Sequence, residues 1–505
     1  MQVVPGVICG STPAFRCPRE GAGMSVTAAK LPIDLICENV VSAKYEDLSE
    51  WNIKCTKDRL IDITGCIIGG ATAQGNAGLV KIVRDYGGKE EAPIFIHGGR
   101  APAGNAAMVN CISARSNDFG VMYANIDGMR IPSHNSETTI PMALTLSDAY
   151  GVSGKEFLVS TLVGDDASNR VLAAGGWDFS KGWDGTMTIP TWGAVSIAGR
   201  FLGLTRQQLK DAFGIGVNTI AGALQSLDDY SLTFKLGQGT CARNGMFAAE
   251  LAREGWNGLV DPLGGGKAYF YLYTGKNEIP HPELLTKDLG KKFYMEESFK
   301  RYPCGIPNTP YVLAGKRIHN RLGNFKVSDI REIELANSSK QRTNYYSQQF
   351  RIGAAPQVNG IFSFQYIAIC AILRGEVKIQ YFTPEAVTDP GIVELCKKSR
   401  VVVDESIKSR FASAPDAGNA DPMVNGVRLR VVTTDGRVLE EYEPNRTMHN
   451  YPTKEELESK FWDQVSAFNN VSESTGKKLL DMIEKIEDVE NMKEFTELLM
   501  PRKSH

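Results

Sequence analysis

The chain has 505 residues, 42% of them hydrophobic and 23% charged, which suits a globular protein of roughly two to four domains with a sizeable core. Its formal net charge is −2 and its basic residues are scattered, so nothing electrostatic favours nucleic acid or an acidic membrane as a partner. No apolar run approaches the ~18 residues that a membrane span needs.

Residues 1–23 lack the uninterrupted apolar core of a signal peptide. Pro5, Pro13 and Pro18 break them up, Arg16, Arg19 and Glu20 come late, and a second methionine, Met24, follows. They read as a disordered or artefactual extension. From Pro32 to about Gly290 the patterns are mostly helical and the strand signal is weak. Helices are expected over Ala43–Gly70, Asn105–Ala114, Thr138–Tyr150, Lys155–Arg170, Thr191–Leu202 and Thr205–Leu224. Thr205 with Gln208 forms a capping box at the start of the last one. The glycine-rich run Asp261–Lys267 lacks the GxxxxGK[ST] order and has no strand before it, so it reads as a loop joining helices.

Beyond Phe293 the character changes. Strands are expected at Asp329–Ala336, Arg400–Asp404, Val427–Thr433 and Arg437–Tyr442, the last two joined by the hairpin dipeptide Asp435-Gly436. Helical stretches at Thr309–Leu322 and Val358–Leu373 lie between them. After Pro452 the chain is helical again, opened by a capping box at Thr453–Glu456. The expected fold is therefore mainly α. A large helical domain (24–290) is completed by C-terminal helices (450–505), and a smaller α+β lid domain (291–449) is inserted. A cleft between two such lobes is the natural place for a substrate.

The ten cysteines form no CxxC pair and no short Cys/His cluster. This argues against a zinc site or a disulfide framework and for reduced thiols in a cytoplasmic protein. Nothing matches a GxSxG, HExxH, dinucleotide or EF-hand pattern. The polar candidates are Asp118, His134, Asp184, Lys235, Arg243, Lys300, Asn308 and Tyr366. Asp118 and His134, one of six histidines, flank a Gly- and Asn-containing segment between two helical patterns, where a carboxylate and an imidazole could share acid–base work. Each candidate has a plainer reading. Asp118 could be a loop residue or cap, His134 a structural hydrogen-bonder and Asp184 a cap or turn former. Lys235 could be a surface lysine, Arg243 half of a structural pair with Asn244, and Tyr366 a core tyrosine. Taken together they suit removal of a proton beside a carboxylate. That reaction needs a base (Asp118, His134 or Tyr366) and cations such as Lys235, Lys300 or Arg301 for the developing charge.

Several runs resemble the MmgE/PrpD family, which includes 2-methylcitrate dehydratase, cis-aconitate decarboxylase and iminodisuccinate epimerase. They are His97-Gly98-Gly99, Asn117-Asp118-Phe119, His134 with Ile140–Leu144, Gly193-Ala194 to Gly199–Leu204, Lys235 with Ala242–Gly245, Lys300–Cys304, Ser363–Tyr366 and Lys454–Phe461. The resemblance spans about residues 30–470. It implies a helical domain with an α+β lid, usually a homodimer, acting on small carboxylates without metal or organic cofactor. It places Asp118, His134 and Lys235 on active-site positions and Tyr366 on a tyrosine that lines the cleft. Asp184 stands where the decarboxylases carry one histidine and Asn308 where they carry another, and Tyr123–Arg130 is inserted between Asp118 and His134. A carboxylate at 184 repels a tricarboxylate, and an amide at 308 cannot transfer a proton. The resulting expectation is a lyase, foremost a dehydratase of a small hydroxylated acid. Asp118, His134, Lys235 and Tyr366 would be catalytic. Asp184, Arg243, Lys300, Arg301 and Asn308 would bind substrate. The alternatives are an epimerase of an amino- or imino-dicarboxylate, a decarboxylase of an unsaturated acid, and a catalytically silent carboxylate-binding protein.

Overall fold

The computed structural model of the chain describes residues 30–176, 181–276, 278–338, 344–407, 410, 426–444 and 451–501. The extension expected at 1–23 lies outside them, as do Cys9 and Cys17.

The first part of the chain packs helices α1 (Pro32–Ser42), α2 (Glu50–Gly70), α3 (Asn76–Tyr86), α4 (Ala103–Arg115), α5 (Ser136–Tyr150), α6 (Gly154–Ala173), α7 (Pro190–Phe201), α8 (Arg206–Gly216) and α9 (Leu236–Arg253). Local chemistry sets several of these ends. Ser49 caps α2 by accepting from the Asn52 N–H at 3.1 Å, and Thr205 with Gln208 caps α8 as the sequence predicts. Small residues let α9 run through the middle. A side-chain carbon at Gly239 would lie 2.6 Å from the Met108 carbonyl on α4, and one at Gly245 would lie 2.6 Å from Ala194 on α7. The helix expected over Thr205–Leu224 stops at Gly216 and gives way to a short 3₁₀ turn at Val217–Thr219.

Short strands interrupt this helical region, contrary to the weak strand signal. β1 (Ala92–Pro93) pairs with β2 (Arg100–Ala101). β3 (Tyr123–Ile126), β4 (Met129–Pro132) and β5 (Glu296–Ser298) form an antiparallel sheet in the order β4-β3-β5. The stretch expected as an insertion is thus a hairpin. Its turn is Asp127-Gly128, with φ of 51° and 85°, the left-handed pair that a tight hairpin requires.

The α+β part holds a four-stranded sheet of β6 (Ile330–Asn337), β7 (Ser399–Val403), β8 (Gly426–Thr433) and β9 (Val438–Pro444) in the order β7-β6-β8-β9. β6 and β7 are parallel and the other pairs antiparallel. Helices α10 (Thr309–Leu322), α11 (Phe364–Arg374) and α12 (Pro390–Lys397) accompany it. The single helix expected over Val358–Leu373 is two, Pro356–Ile361 and α11. They break at Ser363, whose hydroxyl caps α11 through the Tyr366 N–H at 3.2 Å. Finally α13 (Lys454–Ala467) and α14 (Glu473–Glu484) return to the helical part. Their Leu457, Phe461, Val465, Leu479 and Ile483 join its hydrophobic core. A second core fills the α+β part and takes in Phe234 from the helical side, so the two parts meet beside Lys235.

Candidate active site

The site is built where α4 ends. Arg115 closes that helix and Asp118 follows in the left-handed region, with φ of 45°. The chain then runs through the β3–β4 hairpin and re-enters α5 through His134, also left-handed at 58°. Asp and His tolerate that region better than most residues, but each still stores about a kcal/mol or more of strain that the surroundings must hold. Glu296 of β5 does much of this. Its carboxylate accepts from the N–H groups of Asn135 at 2.7 Å and Ser136 at 2.8 Å, and from the Ser133 hydroxyl. Burial pushes the Glu296 carboxyl up to about 7 against those hydrogen bonds.

Arg115, Asp118, His134, Glu137 and Lys300 form one buried cluster. The Asp118 carboxylate is ion-paired to Lys300 at 2.7 Å and to Arg115. The Lys300 ammonium also donates to the Asp118 carbonyl at 2.9 Å. Burial alone would raise the Asp118 carboxyl, but the Lys300 and Arg115 charges outweigh it and hold it well below the usual range. Asp118 is therefore a fixed anion. His134 is the opposite case. Burial, then the positive charges of Arg115 and Lys300, push its imidazole well below the ordinary histidine value, with Asp118 opposing. It is neutral at neutral pH. Its Nδ1 lies 3.0 Å from the Glu137 Oε2.

Glu137, like Arg115, is a member that sequence reasoning missed. It sits in the first turn of α5 and receives the Gly120 N–H at 3.2 Å on Oε1, while the Arg115 Nη1 lies 3.3 Å from Oε2. The Gly120 N–H and the Arg115 guanidinium thus converge on its two oxygens, and burial raises its carboxyl while the Arg115 and Lys300 charges oppose that rise. Nδ1 of His134 also lies 3.3 Å from Arg115 Nη1, which can only donate; a proton on Nδ1 directed at Glu137 would leave Nε2 as the basic nitrogen.

The remaining candidates are placed differently. Asp184 is buried and caps the short helix Gly185–Thr188, accepting from the Thr186 N–H at 2.9 Å and its hydroxyl at 2.8 Å. Burial raises its carboxyl, and it feels both Arg115 and Asp118, so it borders the cluster. Lys235 is buried beside Ser116. It donates to the Gln74 carbonyl at 2.7 Å, to Asn76 Oδ1 at 2.9 Å and to Ser116 Oγ at 3.2 Å. Three neutral acceptors saturate its ammonium, while burial pushes it down to about 7. Arg243 is exposed on α9, outside the cluster. Arg301 pairs with Glu456 at 3.1 Å, both half-exposed. Asn308 is fully buried just before α10; its Nδ2 donates to the Ile361 carbonyl at 3.4 Å, and among the described residues its Oδ1 has no partner.

Tyr366 does not reach the cluster. Its hydroxyl donates to the Tyr381 and Ala386 carbonyls, and its ring stacks on Phe350 at 5.4 Å within the lid core. The tyrosines that approach Asp118 are Tyr345 and Tyr346, whose hydroxyls are raised by burial and further by the Asp118 charge. A side-chain carbon at Gly305 would lie 2.0 Å from the Tyr346 hydroxyl, so that phenol fills the space a residue at 305 would occupy. Beside the cluster lies a cavity of about 420 Å³, lined by Phe119, Lys300, Arg301, Lys378, Lys460 and Gln464 among others. Among the described residues no group of three or more His, Cys, Asp or Glu is placed to hold a metal ion, the cysteines are buried thiols, and no helix is long and apolar enough to cross a membrane.

Known proteins resemble the chain over most of its length. Residues 34–281 match the MmgE/PrpD N-terminal domain and residues 302–488 the MmgE/PrpD C-terminal domain. Cis-aconitate decarboxylase of Mus musculus is 24% identical over 416 residues, covering 79% of each chain. That of Homo sapiens is 24% identical over 424 residues, covering 79% of this chain and 80% of its own. The cis-aconitate decarboxylase-like protein oryM of Aspergillus oryzae is 23% identical over 388 residues, covering 73% and 78%. With both domains matched over most of its length, the chain belongs to the MmgE/PrpD family.

Proposed function

We propose that the chain is a hydro-lyase of a small hydroxylated carboxylic acid, and that His134 is the base. The observation that carries this reading is the buried imidazole whose Nδ1 lies 3.0 Å from Glu137 Oε2; burial and the Arg115 and Lys300 charges favour its neutral form. A neutral, oriented imidazole is made to take a proton rather than to give one first. Nε2 would remove the α-hydrogen, and the C–H electrons would move into the substrate carboxylate as an enolate. Lys300 and Arg115 supply the positive potential for that charge. The C–O bond at the neighbouring carbon then breaks, and the departing hydroxide takes a proton from the raised, neutral phenol of Tyr346 or Tyr345. The products are an unsaturated acid and water, and the phenolate regains its proton from the imidazolium.

The charges limit the substrate. Arg115 and Lys300 face Asp118 and Glu137, with Asp184 at the border, so no surplus of positive charge awaits three carboxylates. Asn308 Oδ1, buried and without a partner among the described residues, suits a substrate hydroxyl as donor. The second reading is decarboxylation of an unsaturated acid, favoured by the named activity of the relatives. The deciding experiment incubates the protein with a panel of small hydroxy acids and with cis-aconitate in D2O. A hydro-lyase gives ultraviolet-absorbing alkene from a hydroxy acid and exchanges its α-hydrogen. Carbon dioxide released from cis-aconitate, with every hydroxy acid unchanged, would overturn the proposal.

A further inference from the structure

We infer that Lys460, on the C-terminal helix α13, is a positioning residue for the His134–Glu137 pair, acting through the peptide unit that joins Phe119 to Gly120. The inference rests on the reading of that pair as the acid–base machinery. Two consecutive carbonyls after α4 are each held by a buried ammonium. Lys300 donates to the Asp118 carbonyl at 2.9 Å and Lys460 to the Phe119 carbonyl at 2.6 Å. The Lys460 ammonium also lies 4.1 Å from the centre of the Phe119 ring and is ion-paired to Asp62 of α2. The other end of the same peptide unit is the Gly120 N–H, which donates to Glu137 Oε1 at 3.2 Å. Lys460 therefore fixes the orientation of a peptide plane whose N–H orients the glutamate that orients His134.

The pin has a physical purpose. Asp118 is left-handed, and the peptide after Phe119 ends in a glycine, which gives little steric resistance to rotation of that plane. A flip would carry the Gly120 N–H away from Glu137 and leave a buried carboxylate oxygen short of a donor. There is no room for a stiffer residue, since a side-chain carbon at Gly120 would lie 2.6 Å from Glu137 Oε1. The restraint must come from outside the turn. Asp62 keeps Lys460 in place: it is buried in α2, and although burial pushes its carboxyl up to about 6, it is mostly ionised at neutral pH.

The test compares Lys460→Met, Lys460→Arg and Asp62→Asn with the parent chain. The readouts are kcat and KM on the small hydroxy acid of the panel that the parent chain turns over and the amide resonance of Gly120 in glycine-labelled protein. The expected result is a fall in kcat of tenfold or more in Lys460→Met, with KM changed less than about threefold. The Gly120 amide proton should move upfield, and Lys460→Arg should recover part of both. Should Lys460→Met fail to fold, Asp62→Asn, which keeps the ammonium but frees it, is expected to show a smaller change of the same kind. An unchanged Gly120 resonance in folded Lys460→Met overturns the positioning role. A moved resonance with unchanged kcat leaves the pin in place and instead removes Glu137 and His134 from the chemistry.

Discussion

Replacing Glu137 by glutamine tests the proposed base most directly, because glutamine keeps the shape and changes only what each terminal atom can do. The Glu137 oxygens have different duties: Oε1 accepts from the Gly120 N–H at 3.2 Å and Oε2 faces His134 Nδ1 at 3.0 Å. A glutamine can present only one oxygen. Turning its NH2 toward Gly120 would leave a buried backbone N–H unpaired, at a cost of about 1–3 kcal/mol. The oxygen therefore stays with Gly120 and the NH2 faces His134. Nδ1 must then accept, so the imidazole proton moves to Nε2, the nitrogen that has to be free to take the substrate proton. The expected consequence is a fall in kcat of about 10²–10⁴, the range supplied by a positioned general base. Stability should fall by about 3 kcal/mol, the low end for a broken buried ion pair, because Asp118 still faces Arg115. With six histidines in the chain, the tautomer of His134 can be read from nitrogen-15 shifts of histidine-labelled protein. If Glu137→Gln keeps the parent tautomer, or keeps the parent kcat, His134 is not the base.

Three further outcomes follow from the same geometry. Tyr366→Phe removes a hydroxyl bonded to the Tyr381 and Ala386 carbonyls. It should cost about 1 kcal/mol in denaturant unfolding with kcat per folded molecule unchanged, and a collapse of kcat would return Tyr366 to the site. Gly305→Ala places a carbon against the Tyr346 hydroxyl and should displace that ring, lowering both kcat and melting temperature; Tyr346→Phe should lower kcat alone. Lys235, pushed down by burial to about 7, holds fewer protons folded than unfolded between about 7 and about 10.4. Unfolding free energy should therefore rise with pH across that window by up to about 1.4 kcal/mol per pH unit from this group. The rise should vanish in Lys235→Met, and equal slopes in the two proteins would show that Lys235 titrates normally.

The sequence carried the hairpin at Asp435-Gly436, found with Gly436 at φ 89°, but not the one at Asp127-Gly128, which has the same dipeptide. The strands around Asp127 are four residues each, and one is completed by β5, which lies more than a hundred residues further on. No local period records such a partner. The site shows the same division. Asp118, His134 and Lys300 were legible as unusual polar groups at element ends. Arg115 and Glu137 were not, because a cation in the last turn of one helix and an acid in the first turn of the next are what the helix dipoles favour anyway. Their second use appears only when the β3–β4 hairpin folds the two helix ends together. Tyr366 stands in a recognisable motif, whereas Tyr345 and Tyr346 lie in a stretch without periodicity, and only tertiary contact distinguishes them.

The cluster is hard to explain as packing. Two cations, two anions and an imidazole are buried together, and apolar residues of similar volume in such places are often neutral or stabilising by about 1–4 kcal/mol. Two residues are additionally held left-handed, Asp118 at 45° and His134 at 58°, adding strain that a structural turn built from glycine would avoid. The fold restrains them with Lys300 of the cluster itself and with Glu296 and Lys460, two more ionisable groups taken out of water. A stability argument would remove every one of these features. Retaining them makes sense where the neutral imidazole and the fixed charges around it are used on a substrate, because that use requires groups whose protonation states are set before the substrate arrives.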